Sequence, residues 1–407
     1  MRDPGFTASY CAVDMATAAN HSQAQQAQNL PSQPPPYNID YMDEKATPEY
    51  SKWHPKAWGK NTKRAVFFGV CAIIVAIICG AYFGVRANKY PNYSKLNYTL
   101  RDTYSGSDFF DRFEYYTGYD PTSGFVHYVD NATAASMNLT YASSERAILR
   151  VDTSEHNAST GRKSVRITSK QTYESGLFIF DIVHTPYGCG TWPAVWLSDP
   201  ANWPYNGEID VVEAVNSVPH GQAQMTLHTT KHCDMNRKRK MSGTNINSNC
   251  YNGTNDNAGC GVYGAQNSFG AGFNAAGGGV YAMEWRDAGI RIWFFDRNSL
   301  PDDLSAAINV SGDTSSSSNT TTASPDPSGW GEATADFPST NCDISSHFRN
   351  QSIIANIDLC GSWAGSASVY NGLDSCPGSC TDYVATNYTE FEKAYWEFNS
   401  FRVFQAE

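Results

Sequence analysis

The chain is short of charge, and shortest of positive charge. Charged residues make up 17% of its 407 positions, with 29 lysines and arginines against 40 aspartates and glutamates, for a formal net charge of −11. That balance excludes the basic surface a nucleic-acid partner requires, yet it does not oppose binding a neutral polymer. Long amphipathic periodicity is missing as well, which excludes a helical bundle. Metal-ligand spacing is also missing. Cys376 and Cys380 have three residues between them but no matched second pair and no partnering histidine, so a zinc site is disfavoured.

What is present falls into segments. Residues 1–64 are rich in Gln, Ala and Pro and lack sustained apolar periodicity, the composition of a disordered tail. Within them Pro34-Pro-Pro-Tyr37 fits the pattern that WW domains bind as a polyproline II segment. The alternative is a proline-rich tail with no dedicated partner. Ala65 to Val85 is an uncharged apolar run, which as a helix spans about 32 Å and matches a hydrocarbon core of roughly 30 Å. It starts too far into the chain, and is too long, for a cleaved signal peptide. Lys56, Lys60, Lys63 and Arg64 precede the run, and only Arg86 and Lys89 follow closely. The expectation is a single-pass type II signal anchor, with the amino terminus cytosolic and everything after a short stalk, residues 86–106, extracellular or lumenal.

Cysteines and glycosylation acceptors agree with that topology. Cys11 falls in the tail, and Cys71 and Cys79 in the apolar run. The eight others, Cys189, Cys233, Cys250, Cys260, Cys342, Cys360, Cys376 and Cys380, lie beyond it and suffice for four disulfides, whose pairing the sequence leaves open. Ten Asn-x-Ser/Thr acceptors follow the run, among them Asn97, Asn131, Asn138 and Asn387, whereas one, Asn20, precedes it.

Residues 107–407 read as one all-β domain. Short alternating or β-branched segments recur between Gly, Asn and Ser turns: 124–129, 146–153, 164–173, 176–183, 191–197, 208–215, 224–229, 280–286, 290–296, 352–359 and 394–404. Asp287-Ala-Gly289 reads as a hairpin turn. Ser311–Pro327, with Ser315-Ser-Ser-Ser318 and Thr320-Thr-Thr322, has too little apolar content to bury and reads as a surface loop open to O-glycosylation. Arg237-Lys-Arg-Lys240 reads as a solvated turn rather than a targeting or processing signal.

The most informative stretch is Asn206-Gly-Glu-Ile-Asp-Val-Val-Glu-Ala-Val-Asn216. In a strand, residues two apart share a face, so Glu208 and Asp210 point the same way and Glu213 the opposite way. Burying an unpaired carboxylate is costly. A one-residue bulge near Val211–Val212 instead returns Glu213 to the face of the other two. Two glutamates leaning together on that face reach the roughly 5–5.5 Å separation of a retaining glycosidase, with Asp210 between them to push their pKa values apart. A solvated strand face carrying three charges is the alternative, and spacing does not tell the two glutamate roles apart.

Gly207-Glu-Ile-Asp-Val-Val-Glu213 resembles the Glu-x-Asp-x-x-Glu signature of glycoside hydrolase family 16. The blocks Gly188–Leu197, Asn202-Trp-Pro204, Thr226–Thr230, Tyr281–Trp285 and Asn356–Trp363 are similar to fungal laminarinase-type endo-1,3(4)-β-glucanases. The resemblance implies a concanavalin A-like β-jelly-roll sandwich with a sugar-binding cleft across its concave sheet. It implies Glu208 as nucleophile, Glu213 as general acid/base and Asp210 as the assisting carboxylate. Trp203, Trp363 and Trp196 would be sugar-stacking platforms and His228 an orienting or substrate-contacting residue, while Trp192 and Trp285 stay with the core. A structural calcium occurs in some members, but no ligand set for it is identifiable, and no metal or cofactor is assigned. The function implied is hydrolysis inside β-1,3 or mixed β-1,3/1,4-glucan chains. Transglycosylation by the same carboxylates, and wall binding without catalysis, are the alternatives.

Overall fold

The computed structural model describes residues 50–87, 89–216, 221–309 and 324–407. Cys11, Asn20, Pro34–Tyr37 and most of the Ser/Thr-rich loop lie outside them.

The apolar run forms a helix, Lys60–Ala87, longer than the run itself. Its stretch Lys60–Tyr82 is long and apolar enough to cross a membrane. Phe67, Phe68, Ile73, Ile77 and Ile78 are all exposed. So much apolar surface on successive turns is unusual for a water-facing helix.

The β domain is a sandwich of two antiparallel sheets, with a separate two-stranded parallel pair, Val126–Tyr128 and Arg162–Ser164. In spatial order the first, here the site sheet, runs Thr244–Asn245, Cys260–Tyr263, Gln224–His228, Glu208–Glu213, Thr191–Ser198, Gln351–Leu359, Arg166–Tyr173 and Phe113–Tyr115. The second, the backing sheet, runs Ala335–Pro338, Gly289–Asp296, Gly279–Arg286, Gly176–His184, Tyr395–Ala406, Ala147–Arg150 and Thr140–Ala142. The sandwich expected from the strand pattern is therefore present, and strands form at all eleven segments named from the sequence. Asp287 and Ala288 close the hairpin between Arg286 and Gly289.

The core follows from the period of two. Val195, Leu197, Ile209, Met225, Leu227, Ile353, Ala355 and Ile357 of the site sheet meet Phe178, Phe180, Tyr281, Met283, Trp285, Phe401 and Val403 of the backing sheet in one buried cluster. Each large side chain so buried contributes about 1.5–3 kcal/mol before ordering costs. The alternate residues of the backing sheet, Leu177, Ile179, Val280, Ala282 and Trp293, make a second cluster on its other face, where Leu304 and Ala307 of the helix Asp302–Ile308 pack over them.

Two sequence expectations change here. Residues 86–106 are not a free stalk, because Tyr98–Ser105 is a strand that pairs with the carboxy-terminal strand, Tyr98 opposite Ala406. Ahead of it Tyr90 donates to Asp336 Oδ2 (3.0 Å), and the Arg291 guanidinium lies 4.1 Å from the Tyr93 ring centre. That pairing spans nearly the whole domain, so no local pattern announces it. The basic tetrad is also only half a solvated turn. Arg239 donates to Asn245 Oδ1 (2.8 Å) and lies over the Phe337 ring, while the Lys240 amide donates to Asp336 Oδ2 (2.7 Å).

Eight cysteines form four disulfides, Cys189–Cys376, Cys233–Cys342, Cys250–Cys260 and Cys360–Cys380. Two of them matter for the site. They staple the 361–380 segment, which carries Trp363, to residues just outside the strands Thr191–Ser198 and Gln351–Leu359, restricting the loop's freedom.

Candidate active site

The bulge is where the parity argument requires it. Pairing with the Gln224–His228 strand runs in register from Glu208↔His228 to Asp210↔Thr226, then shifts before Glu213↔Gln224. Pairing with Thr191–Ser198 slips between Asp210↔Trp196 and Val212↔Val195. Two consecutive residues, Val211 and Val212, are consequently both fully buried in the core. The extra residue absorbs one step of alternation, so Glu208, Asp210 and Glu213 share the face turned away from the core.

The entry to this strand is fixed by its neighbours. A Cβ at Gly207 would stand 2.5 Å from the His347 carbonyl oxygen, and its φ of +74° is one that glycine alone adopts freely. Asp199 Oδ2 accepts from the side-chain amides of Asn202 (2.8 Å), Asn206 (2.8 Å) and Asn350 (3.0 Å), tying down the loop that presents Trp203. At the far end Asn216, fully buried, accepts from the Gly190 amide (2.7 Å) and donates to the Ala364 carbonyl (3.1 Å), bracing the short helix that bears Trp363.

Each carboxylate has a distinct partner. Trp192 Nε1 donates to Glu213 Oε1 at 2.6 Å. His228 Nε2 lies 3.3 Å from Asp210 Oδ2, and its Nδ1 is 3.0 Å from Asn257 Oδ1. Both histidine nitrogens thus face oxygen acceptors, the arrangement of a doubly protonated ring. Burial works against its charge, but the hydrogen bond to Asp210 and the nearby Glu208 and Glu213 outweigh it and raise the His228 pKa to about 9.

Electrostatics separate the two glutamates. Burial first, then the Asp210 charge, raises Glu208 to about 7, with relief from His228, Arg166 and a hydrogen bond from Trp203. Burial and Asp210 also push Glu213 well above the ordinary carboxylate range, eased by the Trp192 hydrogen bond and His228 but worsened by Glu208 itself. Both carboxyls are thus biased toward the protonated form, and they differ in what relieves them, Trp203 and Arg166 at Glu208 and Trp192 at Glu213.

The aromatic side chains divide. Trp203 is exposed beside the Glu208 end of the strand, and Trp363, half-buried, stands edge-on to Trp192 with ring centres 5.6 Å apart beside Glu213. Trp196 is on the same face, but the Arg166 guanidinium lies 4.9 Å from its ring centre and its Nε1 donates to Asn356 Oδ1 (2.7 Å). With one ring face and its donor both engaged, it is floor rather than free platform. Trp285 is in the core as expected, at 1% exposure. Trp192 is not a core residue, and its contact with Glu213 corrects that expectation. The alternation Trp192-x-Ala194-x-Trp196 put it on the carboxylate face and was the available signal. Arg166, which acts on Glu208, and Asn257, which contacts His228, had none.

Glu208, Asp210 and His228 present ligand atoms within 4.8 Å of one another.

A family model described as the XgeA-like catalytic domain of glycoside hydrolase family 16 matches residues 113–404. The chain belongs to glycoside hydrolase family 16. Within this family it is 45% identical to a probable glycosidase of Schizosaccharomyces pombe over 323 residues, 78% of this chain and 72% of that one. It is 38% identical to a probable endo-1,3(4)-β-glucanase of Aspergillus clavatus over 321 residues, 76% of this chain but only 46% of that longer protein. Among solved structures, laminarinase 16A from Phanerochaete chrysosporium, with 6-O-glucosyl-laminaritriose in its donor and acceptor sites, superposes with a TM-score of 0.69 at 45% identity, covering 76% of this chain and all of that one. A family 16 β-1,3-glucosyltransferase described as elongating superposes with a TM-score of 0.67 at 38% identity over the same 76% and its whole length. The family 16 match spans the strands that hold the three carboxylates and His228, and the loop and short helix that bear Trp203 and Trp363.

Proposed function

We propose that this family 16 chain is a retaining endo-β-glucanase acting within β-1,3 or mixed β-1,3/1,4-glucan. The observation that carries the reading is the bulge, which sets Glu213 beside Glu208 and Asp210 on one solvent-facing sheet surface. Glu208 attacks the anomeric carbon as Glu213 protonates the departing glycosidic oxygen. Glu213, now a carboxylate, takes a proton from water, which releases the sugar from Glu208. Asp210, beside His228 and between the glutamates, raises the Glu213 pKa and so favours its protonated state. Trp203 and Trp363 stack on sugar faces to either side. The chemistry needs no metal or cofactor.

Trp192 tests the acid/base assignment. Trp192→Phe keeps the ring packing but removes a donor from the Glu213 carboxylate, a bond worth about 1.5–3 kcal/mol when its partner is charged. The charged form loses support, so the Glu213 pKa rises further. The expected result is a kcat about tenfold lower, with the alkaline limb of the pH profile moved to higher pH. An unshifted limb would remove Trp192 from the mechanism.

Transfer to a sugar acceptor is the second reading, favoured by the likeness to the elongating glucosyltransferase. Incubating the chain with laminarin and weighing the products separates the two: shorter oligosaccharides alone mean hydrolysis, while longer ones mean transfer. A wall-binding protein without catalysis would leave laminarin unchanged, and the complete carboxylate set opposes it. We also propose that Lys60–Ala87 anchors the chain as a type II membrane protein with the sandwich extracellular or lumenal, which the four disulfides support. In that topology Pro34–Tyr37 would meet a WW-domain partner in the cytosol.

A further inference from the structure

A second concavity lies well away from the carboxylates, on the outer face of the backing sheet at its Thr140–Ala142 edge. Its volume is about 560 Å³, and Asn138, Tyr141, Ser143, Glu145, Arg146 and Arg150 line it. That is the size of a small-molecule cleft, roughly 300–1,000 Å³. The lining is suited to a sugar. Tyr141, 49% exposed, offers a flat apolar ring with a hydroxyl at its edge. Arg146 is steadied by Glu397 at 3.2 Å, and the Arg150 guanidinium stands over the Tyr395 ring.

The rim supplies its own candidate. Asn138 begins the acceptor Asn138-Leu139-Thr140. It follows the helix Asn131–Ser136 in a left-handed turn with φ of 54°, its backbone amide donating to the Ala135 carbonyl (3.1 Å) and its side chain exposed. An oligosaccharide joined to Asn138 would start at the mouth of the cavity. Tethering makes its local concentration far higher than that of any free sugar. N-Acetylglucosamine offers an apolar ring face to Tyr141, and hydroxyls and an amide to the polar rim formed by Asn138, Ser143, Glu145 and Arg146.

We propose that this groove is the seat of an N-linked glycan carried on Asn138, which packs against Tyr141 and becomes part of the folded domain. The proposal rests on the lumenal placement given above. The Asn131 acceptor, on the same helix, carries a glycan that stays free in solvent and serves as the internal control.

The test uses the full chain made in a eukaryotic secretory host and extracted in detergent. Glycopeptide mass mapping should find both Asn131 and Asn138 occupied. A native-state endoglycosidase should release the Asn138 glycan at least about tenfold more slowly, the signature of a docked group held by roughly 1.4 kcal/mol or more. Tyr141→Ala should abolish that protection. Asn138→Gln should lower Tm by about 2–4 °C, with laminarin turnover unchanged, and Tyr141→Ala added to it should lower Tm no further. Vacancy at Asn138 with Asn131 occupied, equal release rates, or an undiminished Tyr141→Ala effect in the Asn138→Gln chain would each overturn the proposal while leaving the topology standing. Absence of glycan from every acceptor would overturn both. Protection of Tyr141 from chemical modification by added laminarin, but not by the Asn138 glycan, would mark a free-glucan site instead.

Discussion

Glu208→Gln should lower laminarin turnover by at least about 10⁴-fold, roughly 5.5 kcal/mol of transition-state stabilisation, while raising the melting temperature above neutral pH. The first effect follows from losing the nucleophile, since an amide does not form the glycosyl ester. The second follows from linkage. Burial and Asp210 raise the Glu208 pKa from its ordinary value to about 7 in the folded chain. The folded state therefore prefers the neutral form. The stability this confers is full below the unfolded carboxylate value and is lost as pH rises through about 7. Glutamine has no charge to bury, so the variant escapes that loss. Thermal unfolding across pH 5 to 8 should show the wild type declining more steeply than Glu208→Gln. A dead variant with an unchanged pH dependence would mean that Glu208 is not desolvated as the site requires.

Glu213→Gln should cost about 10²–10⁴-fold on laminarin, the range for removing a general acid, and its pH profile should lose its alkaline limb. In the wild type kcat/KM rises as Glu208 ionises and falls as Glu213 gives up its proton, which gives a bell. The acid role of Glu213 requires the falling limb to lie on the alkaline side of the Glu208 limb, and burial and Asp210 push Glu213 in that direction. Without an ionisable group at 213 only the rising limb remains. A substrate whose leaving group departs without protonation should recover the first step in this variant and then stall as the covalent intermediate, because no base activates water. Retention of the alkaline limb would assign that limb to another residue.

The bulge was legible in the sequence because two rules collide there: period-two alternation would bury Glu213, and a buried unpaired carboxylate is too costly. The collision has one cheap resolution, and it depends only on residues 208–213. Strand positions were legible for the same local reason. What sequence could not carry is contact made across long separations. Tyr98–Ser105 looked like stalk because its partner is the last strand of the chain. The hub at Asp199 gathers an asparagine from position 350, and Arg166 reaches the site from an outer strand to cover Trp196. Trp192 is different. Its parity with Trp196 was visible, but tryptophan's usual place in cores argued the other way, and only the hydrogen bond to Glu213 decides for the site.

Following the anomeric form of the first sugar released from laminarin by proton nuclear magnetic resonance tests the central claim most directly. A kinked strand that brings Glu208 and Glu213 to one anomeric centre predicts double displacement, so the β-anomer appears first and the α-anomer only later, by mutarotation. Immediate release of the α-anomer would mean a single inverting attack by water between carboxylates set too far apart, and would contradict it.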